Sequence, residues 1–162
     1  MPRPPRVVNA GSVLHIYNRG NNKKNIFLAD TDFRVFESLI QHFKQKYRIS
    51  LYFYVLMSNH FHLIIEQHNN GAAILFIRDL QVGYARYFNA RYMTQGHVWQ
   101  SRYRSKSIDK DNYLLACGLY VEDNPIRAGI VRTADEYEWS SSWRRKSAQY
   151  NNIIDRCPYL TS

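Results

Sequence analysis

The chain has 162 residues, enough to bury a hydrophobic core without disulfides or a structural metal, and it fits a single domain over 1–162. Lysine and arginine number 22 against 13 aspartates and glutamates, which gives a formal charge of +9 and a pI near 9.7. This excess predicts a polyanionic partner, because basic groups that neutralise phosphates release counterions, although a basic surface can also serve solubility or membrane contact. We expect no small-molecule substrate.

The cysteines and the apolar runs indicate the compartment. Cys117 and Cys157 lack metal-ligand spacing, and the opening residues do not resemble a signal peptide. The longest apolar runs are shorter than a membrane span and contain charges. We therefore expect a cytoplasmic protein with no membrane contact.

The first half of the chain predicts four elements after a mobile arm over 1–10, where three prolines disfavour regular structure. Alternating apolar residues predict a strand over 12–18, and apolar residues at helical spacing predict a helix over 31–47. Two segments rich in β-branched and aromatic residues, 51–57 and 60–66, predict a pair of strands joined by a tight turn.

The second half predicts a long helix from Ala72 to about Tyr92, a strand over 98–108 and a helix over 111–124 that ends at Pro125. Residues 125–162 then form a C-terminal tail. The order βαββαβ predicts an α+β, ferredoxin-like fold, in which an antiparallel sheet carries helices on one face and an additional C-terminal helix follows. Because this fold serves many functions, the function must be inferred from a site.

Two histidines lie two residues apart on the third predicted strand. Residues at this spacing share one face, so His60 and His62 project together, about 6.6 Å apart at about 3.3 Å per residue, while Phe61 and Leu63 point to the core. Two imidazoles at this spacing can bind one metal ion. The same pattern also suits two histidines that merely line a polar sheet face.

The predicted C-terminal helix brings a tyrosine and an amide onto one side. Tyr120 and Asn124 are four residues apart and so share a helical face. They could offer a nucleophile and an oxygen ligand to the same ion. Alternatively, Tyr113, Cys117 and Tyr120 form an ordinary packing stripe. Pro125 adds a constraint, because a residue before proline disfavours helical dihedral angles.

A third pattern places cations and aromatic rings on the strand predicted over 98–108. Alternation puts the cations on one face, at a spacing that suits a phosphate backbone, with rings that could stack on bases on the other. The cations are Arg102, Arg104 and Lys106, and the rings are Trp99 and Tyr103. A charged edge strand that prevents aggregation is the alternative. Further arginines, including Arg127, could extend the basic surface.

Several of these motifs, in this order, resemble the single-tyrosine HUH transposases, and most closely the REP-associated tyrosine transposases. The similarity extends over nearly the whole chain. It is carried by His15 to Asn21, by Met57-Ser58-Asn59-His60-Phe61-His62-Leu63, by Gly96 to Tyr103, by Tyr120-Val121-Glu122-Asp123-Asn124-Pro125-Ile126-Arg127-Ala128-Gly129, and by Tyr137 to Ser141.

The resemblance implies a function and a set of roles. His60 and His62 match paired ligands of Mg²⁺ or Mn²⁺, Tyr120 matches the nucleophile, and Asn124 stands where insertion-sequence members carry a glutamine ligand. The implied activity is cleavage and rejoining of single-stranded DNA near hairpins such as REP palindromes, through a 5′-phosphotyrosine. It also implies a bacterial, nucleoid-associated protein that acts as a monomer or a homodimer.

Three other functions fit parts of the sequence. A non-catalytic hairpin-binding protein on the same fold would bind DNA or RNA without metal and form no covalent product. A two-histidine phosphoesterase would need two separate His-X-Ser/Thr motifs, and only one His-X-His is present. Rolling-circle initiators often use paired tyrosines, so Tyr113, seven residues before Tyr120, remains a candidate second nucleophile.

Overall fold

The structure is a computed structural model that describes residues 9–110, 113–148 and 153–160. Its strands are β1 (Val13–Arg19), β2 (Ile49–Met57), β3 (His60–Gln67) and β4 (Arg104–Ile108). Its helices are α1 (Asp30–Tyr47), α2 (Ala72–Tyr92), α3 (Leu114–Glu122), α4 (Asn124–Arg127) and α5 (Ser141–Lys146). Single 3-10 turns cover Asn21–Lys23 and Ala134–Glu136.

The four strands form one antiparallel sheet in the order β2-β3-β1-β4. This order follows from the tight β2–β3 turn and from the two helices that cross back over the sheet. It places β3 and its histidines in the centre, with β1 beside them. The predicted ferredoxin-like architecture is confirmed.

The sheet separates two hydrophobic clusters. Side chains of β3 that alternate with the histidines, such as Phe61 and Leu63, pack under α1 and α2 in the larger cluster. On the other face, Ile64 and Phe53 pack against α3, together with Leu114 and Val121. The helix α3 thus covers the sheet face that carries His60 and His62, which positions it to complete a site there.

The start of α1 shows how a buried acid stabilises the fold. The Asp32 carboxylate is fully buried and accepts hydrogen bonds from the backbone N–H groups of Leu28 (2.8 Å) and Ala29 (3.0 Å). It also accepts from the hydroxyls of Tyr87 (2.6 Å) and Tyr92 on α2. These bonds lower the pKa of Asp32 against the opposing effect of burial, which is the largest influence. They satisfy free N–H groups at the helix start and tie the two helices together.

Gly118 allows α3 to approach the sheet closely. A Cβ atom at this position would lie 2.6 Å from three ring carbons of Phe53 on β2. One turn later the buried Glu122 carboxylate accepts from Ser141 Oγ and pairs with Arg145. The ring contact sets the height of α3 above the sheet, and the ion pair connects it to α5.

We expect Gly118→Ala to lower the free energy of unfolding by about 1–3 kcal/mol, because the added methyl overpacks against Phe53. This loss runs against the intrinsic helix preference for alanine. Urea unfolding measures it, and Gly118→Ala combined with Phe53→Leu should recover most of it. Gly83→Ala on α2 is the matched control, because its Cβ would meet side-chain atoms no closer than 3.6 Å. Equal stability of Gly118→Ala and the wild type would contradict the contact.

Two predicted boundaries are corrected. The strand predicted over 98–108 begins only at Arg104, because residues 98–103 bond to the end of β1 and to the turn after it, through Gln100 N–H to Arg19 O (3.0 Å) and Asn21 N–H to Val98 O (2.8 Å). Asn124 lies within a new helical turn, α4, although Pro125 follows it. Proline is tolerated in the first turn of a helix, where its missing N–H costs nothing.

The chain ends also differ from the prediction. Of the arm predicted over 1–10, residues 1–8 lie outside the described part, while the Ala10 N–H donates to Asn70 Oδ1 (2.7 Å). Residues 111–112 of the predicted catalytic helix are likewise not described. The predicted tail contains α4 and α5, and Ser140 bridges to Val55, which covers the outer edge of β2. No helix in the described residues is long and apolar enough to cross a membrane.

Candidate functional site

The two histidines of β3 face α3 and are oriented by polar neighbours. Their ring centroids lie 5.3 Å apart and their planes are nearly perpendicular. Nδ1 of His60 lies 2.7 Å from Asn59 Oδ1, and Nδ1 of His62 lies 2.9 Å from Nε2 of His15 on β1. Nδ1 of each ring is therefore engaged by a neighbouring side chain, whereas Nε2 of His60 faces Asn124 on α4. This is how metal-binding histidines are usually oriented.

Burial keeps this histidine cluster neutral. It lowers the pKa of His62 from 6.5 to about 3, and His15, His60 and the positive charge of Arg127 contribute in that order. It lowers the pKa of His15 to about 4, with a further contribution from Lys106, and it also lowers the pKa of His60. Neutral imidazole is the form that binds metals, so the cluster is ready to act as ligand at neutral pH.

These pKa shifts predict acid sensitivity of the metal-free fold. In the unfolded chain the histidines bind protons near pH 6.5, whereas folded His62 and His15 do so only near pH 3 and pH 4. Stability should therefore fall as the pH drops from 6.5 towards 4, by at most about 1.4 kcal/mol per pH unit for each histidine. Urea unfolding across this range should show a shallower dependence for His15→Gln than for the wild type. His42→Gln, at an exposed histidine, should match the wild type, and an unchanged slope in His15→Gln would contradict the assignment.

Tyr120 and Asn124 lie at the end of the helical segment that faces the histidines. Asn124 Oδ1 is 3.5 Å from Nε2 of His60, which connects the two elements directly. Tyr120 is 56% exposed, so its hydroxyl is not enclosed by the core. Arg127 stacks over the Tyr120 ring at 4.0 Å and donates to the Tyr120 carbonyl oxygen (2.8 Å). The structure thus brings the predicted nucleophile, amide and histidine pair into one region.

The donor set can be compared with what metal ions require. His60, His62 and Asn124 offer two imidazole nitrogens and one amide oxygen. Imidazole nitrogens suit borderline transition-metal ions, whereas an amide oxygen suits harder ions such as Mg²⁺ and Mn²⁺, and three donors leave coordination positions open. Within the described ranges, no group of three or more histidines, cysteines, aspartates or glutamates is placed to hold a metal. A third donor to the histidine pair would thus be the Asn124 amide.

Tyr113 lies at the opposite end of α3. It is exposed and precedes the first residue of the helix, so seven residues place it about 10 Å along the axis from Tyr120. No contact connects it to the histidines among the residues that the structure describes. This placement favours Tyr120, one turn before Asn124, as the tyrosine closer to the histidine pair.

A basic cleft opens next to His60. Its volume is about 610 Å³, and we call it the site cleft. Three cations line it: Arg19, Lys23 and Arg104. Its other lining residues include Tyr17, Asn59, His60, Gln100 and Ser101. Arg104 and Lys106 lie opposite Tyr17 and His15 on β1, on the same sheet face as the histidines. Two of the three predicted cations thus flank the site.

The rest of the predicted basic strand is arranged differently. Arg102 lies before β4 and lines a separate cleft against α2. Tyr103 is buried in the larger cluster, and the half-buried Trp99 packs against it, with its ring 5.4 Å from that of Phe61. The prediction of a ring-bearing strand face is therefore wrong, because both residues precede β4 and pack towards the core, Tyr103 within it and Trp99 at its edge.

The sequence interpretation did not nominate several residues of this site: His15, Tyr17, Arg19, Lys23 and Asn59. The alternation of β1 places His15 and Tyr17 on one face, but their contact with His62 depends on β1 pairing directly with β3. Strand order cannot be obtained from alternation alone. Arg19 and Lys23 come to the site through the turn that follows β1.

Comparison with known proteins identifies the family. The sequence model of one family, described as "Transposase IS200 like", matches residues 10–124. This chain belongs to the IS200-like transposase family. The matched range includes both histidines, Tyr120 and Asn124, so the candidate site lies within the part that defines the family.

Two solved structures share the fold of this IS200-like transposase. A REP-associated tyrosine transposase bound to a REP hairpin aligns with a TM-score of 0.72 at 16% identity, over 100% of this chain and 95% of that chain. A protein of Deinococcus radiodurans R1 assigned as a transposase aligns with a TM-score of 0.53 at 15% identity, over 75% of this chain and 97% of that chain. No curated protein sequence matches the chain.

Proposed function

We propose that this transposase cleaves and rejoins single-stranded DNA beside a hairpin, through a covalent 5′-phosphotyrosine at Tyr120. The observation that carries the proposal is the contact between Asn124 and His60, which joins the tyrosine-bearing helical segment to the histidine pair. The exposed Tyr120 side chain, one turn before Asn124, leaves its hydroxyl accessible to a phosphate. The hairpin-bound relative of the same fold supports the choice of DNA.

A divalent cation, Mg²⁺ or Mn²⁺, fits the donors of His60, His62 and Asn124. When bound there, it would polarise the scissile phosphate and stabilise charge on the leaving oxygen. The protein supplies the neutral state of the imidazoles through burial and their orientation through Asn59 and His15. These second contacts limit rotation of the rings before DNA arrives.

The reaction is a transesterification. The Tyr120 hydroxyl oxygen bonds to phosphorus while the bond from phosphorus to the 3′-oxygen breaks. The phenol proton passes to water, and the departing 3′-oxygen takes up a proton to become a hydroxyl. In the reverse sense, a 3′-hydroxyl attacks the phosphotyrosine and restores a phosphodiester, so rejoining needs no nucleotide cofactor.

Arg127 holds the attacking residue in place. Its guanidinium covers one face of the Tyr120 ring and donates to the main chain of the same residue, so it restricts the direction of the hydroxyl. Its charge also contributes to the lowered pKa of His62, after burial and the neighbouring His15 and His60. Arg127 thus lies where a negatively charged phosphate would approach both groups.

The site cleft supplies the approach for the DNA backbone. Arg19, Lys23 and Arg104 surround its opening, and Lys106 extends the positive charge along β4. Charged groups of this kind position phosphates without selecting sequence. The strand must be unpaired at the cut, because its backbone has to reach the histidine face beneath α3.

The direct test uses single-stranded oligonucleotides that contain a hairpin with randomised sequence, labelled at the 3′ end and incubated with Mg²⁺ or Mn²⁺. A denaturing gel should show labelled DNA that migrates with the protein, and a chelator should abolish the band. Binding without any such band, in either metal, would favour a non-catalytic hairpin-binding protein instead.

We also expect His15→Ala to weaken metal binding. Without the hydrogen bond to Nδ1 of His62, that ring loses its fixed tautomer and orientation, and affinity for Mn²⁺ should fall about 10- to 100-fold. Calorimetric titration with Mn²⁺ in the absence of DNA measures the change. Excess Mn²⁺ should restore cleavage. His42→Ala, at the exposed histidine of α1, is the control, and equal Mn²⁺ affinity in the two variants would contradict this role for His15.

A further inference from the structure

A second cleft lies on the outer side of α2, against residues 96–103. Its volume is about 650 Å³, and we call it the outer cleft. Ligand clefts in proteins commonly measure about 300–1,000 Å³, so this space suits a nucleotide-sized group. The α2 side chains that line it recur at helical spacing and form one stripe: Ile74, Arg78, Gln81, Val82 and Ala85.

The lining of the outer cleft offers an apolar surface to a flat group. Val82 is 45% exposed, although it lies between core positions of α2, and Ile74 and Ala85 lie beside it on the stripe. The half-buried Trp99 forms part of the opposite side, with its Nε1–H donating to the Gln81 carbonyl oxygen (2.9 Å). This bond fixes the indole and satisfies its polar atom, so the cleft presents mainly carbon, on which an unpaired base can stack.

Positive charge borders this apolar surface. Arg102 is exposed, and its guanidinium forms no ion pair within the described residues. Arg78 is also exposed but is held by Asp79 at 2.9 Å. None of the described residues that line the outer cleft is acidic. An apolar wall beside an uncompensated guanidinium matches a nucleotide, which joins an apolar base face to a phosphate.

The outer cleft adjoins the site cleft. Gln100 and Ser101 line both clefts. The buried amide of Asn18 connects their walls, because its Nδ2 donates to Gln81 Oε1 (2.7 Å) on α2 and to the Ser101 carbonyl oxygen (3.0 Å). A DNA strand that leaves His60 past Arg104 would cross these two residues and enter the outer cleft on a rigid surface.

We propose that the outer cleft holds one unpaired nucleotide that flanks the cleaved phosphodiester, an inference that rests on the proposed function. The base stacks against Val82 and Trp99, and its phosphate contacts Arg102. The subsite lies outside the reacting groups, so it selects and positions the strand without taking part in bond transfer. Its stacking surface tolerates any base, whereas the Gln81 and Gln100 amides at its border can discriminate base edges.

The test measures binding alone. Hairpin-containing oligonucleotides are selected from a randomised pool by retention on the wild-type protein without metal, and versions with one abasic position in the unpaired flank are then compared. In the wild type, an abasic site at one position of the flank should lower the affinity about tenfold. Val82→Glu should bind the intact oligonucleotide with the same loss of affinity, and an abasic site at that position should then cause no further loss. Arg102→Gln should reduce the salt dependence of binding by about one phosphate contact.

Leu75→Glu provides the matched control, because Leu75 is an exposed apolar residue of α2 that does not line the outer cleft. It should bind like the wild type. The proposal is overturned if Val82→Glu retains the full sensitivity to every abasic position. It is also overturned if the variant binds a hairpin without the unpaired flank as weakly, relative to the wild type, as it binds the hairpin with the flank. Because no cleavage is scored, this result is independent of whether the Tyr120 adduct forms.

Discussion

Tyr120→Phe should abolish the covalent protein–DNA adduct while leaving the affinity for hairpin DNA within about twofold. The substitution removes only the nucleophilic oxygen, and a missing nucleophile lowers such reactions by several orders of magnitude. The ring itself remains, so the contact of Arg127 with the Tyr120 face at 4.0 Å and its bond to the main chain are retained. Stability should change little, because Tyr120 is more than half exposed. Denaturing gels with 3′-labelled DNA and filter binding measure the two quantities.

Tyr113→Phe is the matched control for this experiment. Tyr113 is also an exposed tyrosine of the same helical region, but it lies at the end of α3 remote from Asn124. It should form the adduct at the wild-type rate. Loss of the adduct in Tyr113→Phe, together with its persistence in Tyr120→Phe, would identify Tyr113 as the nucleophile and contradict the role proposed for Tyr120.

Replacement of His60 and His62 together by alanine should eliminate metal-dependent cleavage. Replacement of either histidine alone should strongly reduce the affinity for Mn²⁺, because it removes one of the two nitrogen donors from a set of three donors. Hairpin binding should persist, since Arg19, Lys23 and Arg104 are unchanged in the site cleft. Mn²⁺ titration and adduct formation over a range of metal concentrations measure the effect.

His68→Ala is the control for the histidine variants. His68 follows β3, is exposed and contacts Ser50 Oγ at 2.7 Å, at the opposite end of the strand from His60. It should cleave like the wild type. If the His60 and His62 double variant kept wild-type cleavage in Mn²⁺, the histidine pair would not be a metal site.

Much of the fold could be predicted because local pattern and tertiary structure agree. The helix predicted from Ala72 to about Tyr92 has these ends in the structure, where Gly71 and Met93 adopt positive φ angles at the two caps. The histidine strand was predicted from its β-branched and aromatic residues, and the places of Phe61 and Leu63 in the larger cluster confirm their predicted direction. Local periodicity is sufficient where one face of an element is buried.

The strand predicted over 98–108 was wrong for a physical reason. Alternation of charged and aromatic residues suits a strand, but residues 98–103 bond to the turn after β1 and to β1 itself instead of continuing the ladder. Trp99 and Tyr103 are drawn into the core under α2. Tertiary contacts of this kind override local preference and cannot be obtained from spacing.

The candidate site was predictable only in part. The His60–His62 pair and the shared face of Tyr120 and Asn124 follow from strand and helix periods. The approach of α3 to the sheet depends on the missing side chain of Gly118, and the orientation of His62 depends on His15 from another strand. Both are distant contacts that only the folded chain brings together.

The central claim is that the nucleophile is the tyrosine beside Asn124 and His60. Trypsin can release residues 111–127 as one peptide that contains both Tyr113 and Tyr120. Tandem mass spectrometry of this peptide, after adduct formation and nuclease treatment, should place the residual nucleotide phosphate on Tyr120. A phosphate on Tyr113, or on a residue outside this peptide, would contradict the account.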